Sequence, residues 1–157
     1  TLPNTVNWAW PWMGEKVFEN CTGLVSVTID SGTTGKGTFE LCENLTSIIF
    51  TNRVSTLDDG AFVGCTSLST VILPNSLRTI GNYVFSGCTG LTSVTIPDSV
   101  DIIGSSAFAN TGLTSIVLPN HLQDIFVNTF DGCSALSSVY LPDRLRSISR
   151  DAFSFCI

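Results

Sequence analysis

The sequence predicts a mainly β repeat solenoid wound from coils of about 23 residues, a period within the range of repeat architectures. Three observations carry that reading. The shift that superposes Phe39 on Phe62 also takes Phe62 to Phe85, Phe85 to Phe108 and Phe130 to Phe153. An LxxVxI pattern recurs once per period, and Pro74, Pro97, Pro119 and Pro142 follow it at fixed distance. Repetition of this kind marks a solenoid, whose coils bury their apolar faces only by stacking on their neighbours. About seven coils would use all 157 residues and, at the spacing of adjacent strands, form a rod roughly 30 Å long.

The chain opens on Leu2-Pro3-Asn4-Thr5-Val6, which resembles Leu73-Pro74-Asn75-Ser76-Leu77 and so predicts a start halfway through a repeat. Residues 1–17 are read as a partial repeat with a Trp-rich cap, and 18–157 as one solenoid domain. The extra length before Phe18 holds Trp8, Trp10 and Trp12, whose spacing of two puts their rings on one side of an extended segment. Two roles stand open for them: a cap over the first coil, or a docking patch, since exposed tryptophan is a common interface anchor. Phe18, Cys21, Leu24, Val27 and Ile29 anchor the first coil. The second departs from the pattern, because the glycine-rich stretch from Asp30 to Thr38 replaces the usual segment and the step from Phe18 to Phe39 is shorter than the regular one. A flexible, degenerate loop is predicted there. Its glycines lack the GxxxxGK[ST] spacing of a phosphate loop.

From Phe39 onward the coils are regular. Leu45, Ile48 and Phe50 open a series continued by Leu68, Val71 and Leu73, Leu91, Val94 and Ile96, Leu113, Ile116 and Leu118, and Leu136, Val139 and Leu141. In an extended segment these point into a core and the residues between them point out. Each proline then ends a strand where the chain must turn. A second short inward segment follows: Val54 and Leu57, Leu77 and Ile80, Val100 and Ile103, Leu122 and Ile125, Leu145 and Ile148. A phenylalanine then plugs each coil, within a Gly/Ser-rich stretch too short for more than one helical turn. The chain closes on Phe153 to Ile157, half a repeat, so both ends are expected to be cut from a longer chain.

The stretch Leu91 to Thr111, LTSVTIPDSVDIIGSSAFANT, and the neighbouring TIGNYVFSGCTGL resemble the BspA-like, Treponema-type class of leucine-rich repeats. Period, proline, Gly81 or Gly104, AF and GCTxL recur together over roughly residues 18–157, with Asp30 to Thr38 the main departure. The resemblance implies a right-handed leucine-rich-repeat solenoid with a parallel sheet on its concave face and short strands or 3₁₀ turns on the other. It also implies a surface-exposed or secreted protein that binds proteins, matrix or other cells. It supplies no catalytic motif and no cofactor.

Composition and chemistry exclude several function classes. A net charge of −6 and a pI near 4.4, with only seven basic residues, argue against nucleic acid, whose partners carry a basic stripe. Arg144, Arg146 and Arg150 form a local positive end and read as solvated charges. The uncharged window from Thr79 to Pro97 approaches transmembrane length, but polar residues and proline interrupt it and it is no membrane span. No basic-then-apolar targeting segment opens the chain. The six cysteines, Cys21, Cys42, Cys65, Cys88, Cys133 and Cys156, all stand three residues after a phenylalanine, with Thr111 near that place in the remaining coil. Without a CxxC pair or a Cys/His cluster they read as a ladder of buried, reduced thiols, not as a zinc site. His121, the sole histidine, falls on a turn after proline, and Asp58-Asp59-Gly60 lacks EF-hand spacing. No enzyme is expected. Asn20-Cys-Thr22 and Asn44-Leu-Thr46 are sequons of the kind a Ser/Thr-rich repeat generates easily.

What remains is the outward side of the LxxVxI strands. One column reads Ser26, Ser47, Thr70, Ser93, Ser115, Ser138, and the other Thr28, Ile49, Ile72, Thr95, Val117, Tyr140. Such residues suit any exposed sheet, yet a half-apolar, uncharged patch with an aromatic also suits recognition. The expected function is therefore a non-enzymatic module binding a protein or glycan through Ser47, Ile49, Thr70, Ile72, Ser93, Thr95, Ser115, Val117, Ser138 and Tyr140. A structural subunit docked permanently in a larger assembly, through Trp8, Trp10 and Trp12, is the alternative.

Overall fold

A computed structural model describes residues 4–8 and 14–156. It is a parallel β-solenoid, and among the described residues no helix forms. The LxxVxI segments give one row of strands: β1 (Thr5–Trp8), β2 (Ser26–Ile29), β3 (Ser47–Phe50), β5 (Thr70–Ile72), β7 (Ser93–Thr95), β9 (Ser115–Val117) and β11 (Ser138–Tyr140). The segments after the prolines give a second row of two-residue strands: β4 (Thr56–Leu57), β6 (Thr79–Ile80), β8 (Ile102–Ile103), β10 (Asp124–Ile125) and β12 (Ser147–Ile148). Seven strands in the first row mean that about six full turns connect them, one fewer than the expected seven coils.

The first row is not one continuous ladder. β1, β2 and β3 are hydrogen-bonded, as are β5 with β7 and β9 with β11, while β3 and β5, and β7 and β9, pack side by side without pairing. All pairs are parallel and keep the repeat register, for example Val71 beside Val94. At the start the register differs from expectation. Thr5 pairs with Ser26 and Val6 with Val27, so β1 takes the strand place of a coil and not the post-proline place suggested by Leu2 to Val6.

The core lies between the two rows. Phe39, Phe62, Phe85, Phe108 and Phe130 are fully buried, and with Phe18 and Phe153 they form an unbroken stack whose ring centroids lie 5.2–5.7 Å apart. The rings are parallel to within 7° except between Phe85 and Phe108, which are tilted by 20°. That step adjoins the short coil that follows Phe108, where Phe130 arrives one position early. There the Thr111 hydroxyl donates to the Phe108 carbonyl, the acceptor that in other coils receives the cysteine N–H. Leu141 and Ile148, assigned to the core by pattern, are half exposed because no coil lies beyond them among the described residues.

The phenylalanine turns consist of i→i+3 hydrogen bonds, such as Cys42 N–H to Phe39 O at 3.2 Å, that never run on into a helix. Their backbone is fixed more strictly than their sequence. In every coil the residues two before and two after the phenylalanine have positive φ: Lys16 and Asn20, Gly37 and Leu41, Gly60 and Gly64, Tyr83 and Gly87, Ser106 and Asn110, Asn128 and Gly132, Asp151 and Phe155. Only glycine adopts that region freely, so Lys16, Leu41, Tyr83 and Phe155 hold it at a cost.

The glycine-rich second coil is a tied turn and not the flexible loop its composition predicts. Ser31, Thr34 and Thr38 are buried, and Thr33 bridges to Thr56. The Asp58 carboxylate accepts from Gly35 N–H at 2.8 Å and from the Thr33 hydroxyl, while Asp58 N–H donates to the Thr34 hydroxyl at 2.8 Å. Side-chain oxygens thus replace the missing apolar segment, satisfying backbone groups that burial would otherwise leave unpaired.

Candidate functional site

The strand row sets its outward residues at fixed steps because successive side chains in a strand alternate between faces. In β3, Ile48 is buried while Ser47 and Ile49 point out, and the same alternation holds in β5 and β9. The columns are therefore real rows in space. Parallel pairing sets Ser47 beside Ser26, Thr70 beside Ser93, Ile72 beside Thr95, Ser115 beside Ser138, and Val117 beside Tyr140. Ile49, Ile72, Val117 and Tyr140 are exposed by 58%, 82%, 62% and 66%. Thr28 and Ser26 of β2 are half-buried, whereas Ser47 and Ile49 of β3 are exposed. Thr5 and Asn7 of β1 extend the two columns by one coil. Sequence reasoning missed both, because it set Leu2 to Val6 in the post-proline place. Neither column carries a charged residue.

Two depressions of this face lie at or beside the places where the ladder is interrupted. One, of about 460 Å³, lies between β7 and β9 and is lined by Ser93, Val94, Thr95, Ile96, Ser115 and Val117. The other, of about 400 Å³, lies beside β3 and β5 against Phe50, Ile72, Leu73 and Thr95, with Pro74 and Pro97 at its end. Most of the predicted binding residues from Ile72 to Val117 thus border one of two shallow sockets. Trp8 ends β1, whereas Trp10 and Trp12 lie outside the described residues.

The remaining chemical candidates are placed as follows. All six cysteines are free thiols, four of them buried. Cys42, Cys65, Cys88, Cys133 and Cys156 each direct Sγ at the carbonyl of the phenylalanine one coil earlier, at 3.0–3.3 Å. Burial pushes the thiol of Cys42 up to about 11 and that of Cys88 to about 12, and raises Cys65 further. Such thiols are poor nucleophiles. Among the described residues no three His, Cys, Asp or Glu side chains gather to hold a metal. His121 is exposed beside Asp101, Gln123 and Asp124 in a small recess of about 190 Å³. Arg144, Arg146 and Arg150 are exposed on the last coil, as predicted. No helix of the described residues is long and apolar enough to cross a membrane.

Comparison with known proteins agrees with this geometry. A family model for the BspA type leucine rich repeat region, present in six copies, matches residues 2–100 and 57–157. The solved T. pallidum leucine rich repeat protein is 32% identical, with a TM-score of 0.81 over 88% of this chain and 64% of its own. A leucine rich cell surface protein of Faecalibacterium prausnitzii is 28% identical, with a TM-score of 0.75 over 87% of this chain and 47% of its own. A leucine-rich repeat protein of Bacteroides ovatus, 23% identical with a TM-score of 0.65 over 92% of this chain and 39% of its own, shares the fold. The chain therefore spans less than two thirds of the length of these structures. No curated protein matches it.

Proposed function

Since the chain belongs to the BspA-type leucine-rich repeat family, we propose that it is a non-enzymatic protein-binding module, at the cell surface or secreted, that engages its partner through the open face of the strand row. Repeats of this type generally serve as surface protein-interaction modules, and one similar structure is described as a cell surface protein. The observation that carries the reading is the uncharged column of Ile49, Ile72, Thr95, Val117 and Tyr140, whose large side chains stand open to solvent. A contiguous apolar patch of this kind on a soluble surface marks an interaction site. Tyr140 is the anchor, because a tyrosine adds apolar area and a hydrogen-bonding hydroxyl at low entropic cost. The sockets beside Ile72 and Val117 would receive partner side chains. A protein suits this column better than a glycan, since isoleucine and valine offer no hydrogen bonds to hydroxyl groups.

The test is capture on an array of cell-surface and extracellular-matrix proteins, comparing the native chain with a variant carrying Ile72→Asp and Tyr140→Ala. Both substitutions are on exposed positions, so the melting temperature should stay the same while capture falls at least about tenfold, as expected for losing hot-spot residues. Equal capture by a folded double variant would overturn the assignment to this face.

A further inference from the structure

A further recess lies on the phenylalanine-turn edge, away from the strand columns. It measures about 400 Å³, and its walls include Lys16, Lys36, Gly37, Glu40, Gly60 and Tyr83. Its shape follows from the positive-φ position two residues before each phenylalanine. In four successive coils that position is Lys16, Gly37, Gly60 and Tyr83. Gly60 lacks a side chain and leaves open backbone that a ligand can approach, a use for which glycine is suited, whereas the space over Gly37 is taken by the paired Lys16 and Glu40 side chains. Lys16 and Tyr83 close the two ends. At the strand spacing, three coil steps separate them by about 15 Å.

Tyr83 is the unusual member. It holds a φ of 57° and is 53% exposed. Glycine, asparagine, serine and aspartate fill most equivalent positions in other coils, so nothing in the repeat demands an aromatic there. Two other bulky residues in this conformation have visible reasons, and Phe155, the third, stands on the last coil. Lys16 is held by Glu19 at 2.6 Å and Glu40 at 3.3 Å, and Leu41 covers Gly64, whose added Cβ would meet Leu41 Cδ2 at 2.8 Å. A backbone outlier kept at an exposed ring points to function more than to stability.

The walls carry both signs of charge at short range. Glu15, Glu40 and Asp59 face Lys16 and Lys36, and Ser86 adds a hydroxyl beside the ring. This near balance favours neither a simple anion nor a simple cation. It suits hydroxyl groups, which donate to carboxylates and accept from ammonium groups in charge-assisted hydrogen bonds. The tyrosine ring suits the apolar face of a pyranose, its own edge remaining wet. We propose that the Lys16–Tyr83 trough binds a neutral oligosaccharide, about three sugars long, that stacks on Tyr83 and hydrogen-bonds to Glu15, Lys36, Glu40 and Asp59. The site is independent of the strand face and would give the protein a glycan subsite beside a protein-binding one.

The experiment is titration of the chain with a panel of neutral trisaccharides (chitotriose, cellotriose, mannotriose and maltotriose), alongside a lysine-rich tripeptide as the cationic alternative. At least one sugar should bind in the millimolar range or tighter. Tyr83→Gly should weaken it at least tenfold while raising the melting temperature, because glycine relieves the φ of 57°. Ile72→Asp should leave sugar binding unchanged. Absence of binding by every sugar, binding of the lysine peptide alone, or a Tyr83→Gly variant that binds normally or melts lower than the native chain would each overturn the proposal. Failure here leaves capture through the strand face untouched, so the two readings fall separately.

Discussion

At the scale of single residues, the phenylalanine stack and the thiol ladder beside it link each coil to the next. Phe85 is fully buried and sandwiched between Phe62 and Phe108. Phe85→Ala removes both contacts from a core that cannot collapse around one coil, and should cost about 3–5 kcal/mol in urea denaturation. The thiols predict a pH dependence of known sign. Because burial raises the folded-state value of Cys42 and Cys88 above an ordinary 9.0, the folded protein binds these protons more tightly than the unfolded chain. Stability from this source is complete below pH 9.0 and falls as pH rises toward about 11 for Cys42 and about 12 for Cys88. Thermal melts under reductant should therefore drop steeply above pH 9.0, and Cys88→Ala should flatten the drop. An unchanged slope in that variant would show that other groups govern alkaline unfolding. The sequence revealed the ladder through the shared offset from phenylalanine, but not the acceptor of each thiol, which lies one coil away in space.

At the scale of the coil, close approach explains a motif that the sequence only displays. Gly81 and Gly104 follow the second-row strands β6 and β8. A Cβ on Gly104 would lie 2.7 Å from the Asn82 nitrogen and 2.7 Å from the Gly81 carbonyl carbon, and one on Gly81 would lie 2.9 Å from the Leu57 oxygen. These are backbone atoms that cannot swing aside. The same approach lets Asp59 accept from Asn82 N–H at 2.8 Å, and Asn82 Oδ1 accept from Ser105 N–H at 2.9 Å, linking successive coils. Gly104→Ala should lower stability by roughly 1–3 kcal/mol, as overpacking does. Gly23→Ala, with open space around it, should change stability by less than about 0.5 kcal/mol. Equal effects in chemical denaturation would remove the close-approach account.

Across the molecule, periodicity was legible and exceptions were not. Five strands' worth of LxxVxI positions, the second inward row and the outward columns followed from spacing alone, because stacking makes each coil's environment the same as the next. Thr5 to Trp8 went astray because Val6 fits either an inward strand place or a post-proline place, and only pairing with Ser26 and Val27 decides between them. The loop from Asp30 to Thr38 went astray because its stabilising partner, Asp58, belongs to the following coil. The Tyr83 trough was invisible for the same reason. Its open backbone at Gly60 becomes a feature only when four coils are aligned by a backbone conformation that residue identity does not announce.

The one-residue shortening at Thr111 shows how little a coil must match its neighbours to be accepted. One hydroxyl replaces a backbone donor, one ring tilts by 20°, and the stack continues through Phe130. The Phe108 carbonyl still receives the Cys133 thiol of the next coil at 3.1 Å, so this coil-to-coil contact survives the change in length. Because each repeat contacts only its neighbours, deleting or duplicating one whole coil should leave the rest of the stack folded. The outward residues of the strand row can then differ from coil to coil without disturbing the common spine that carries them.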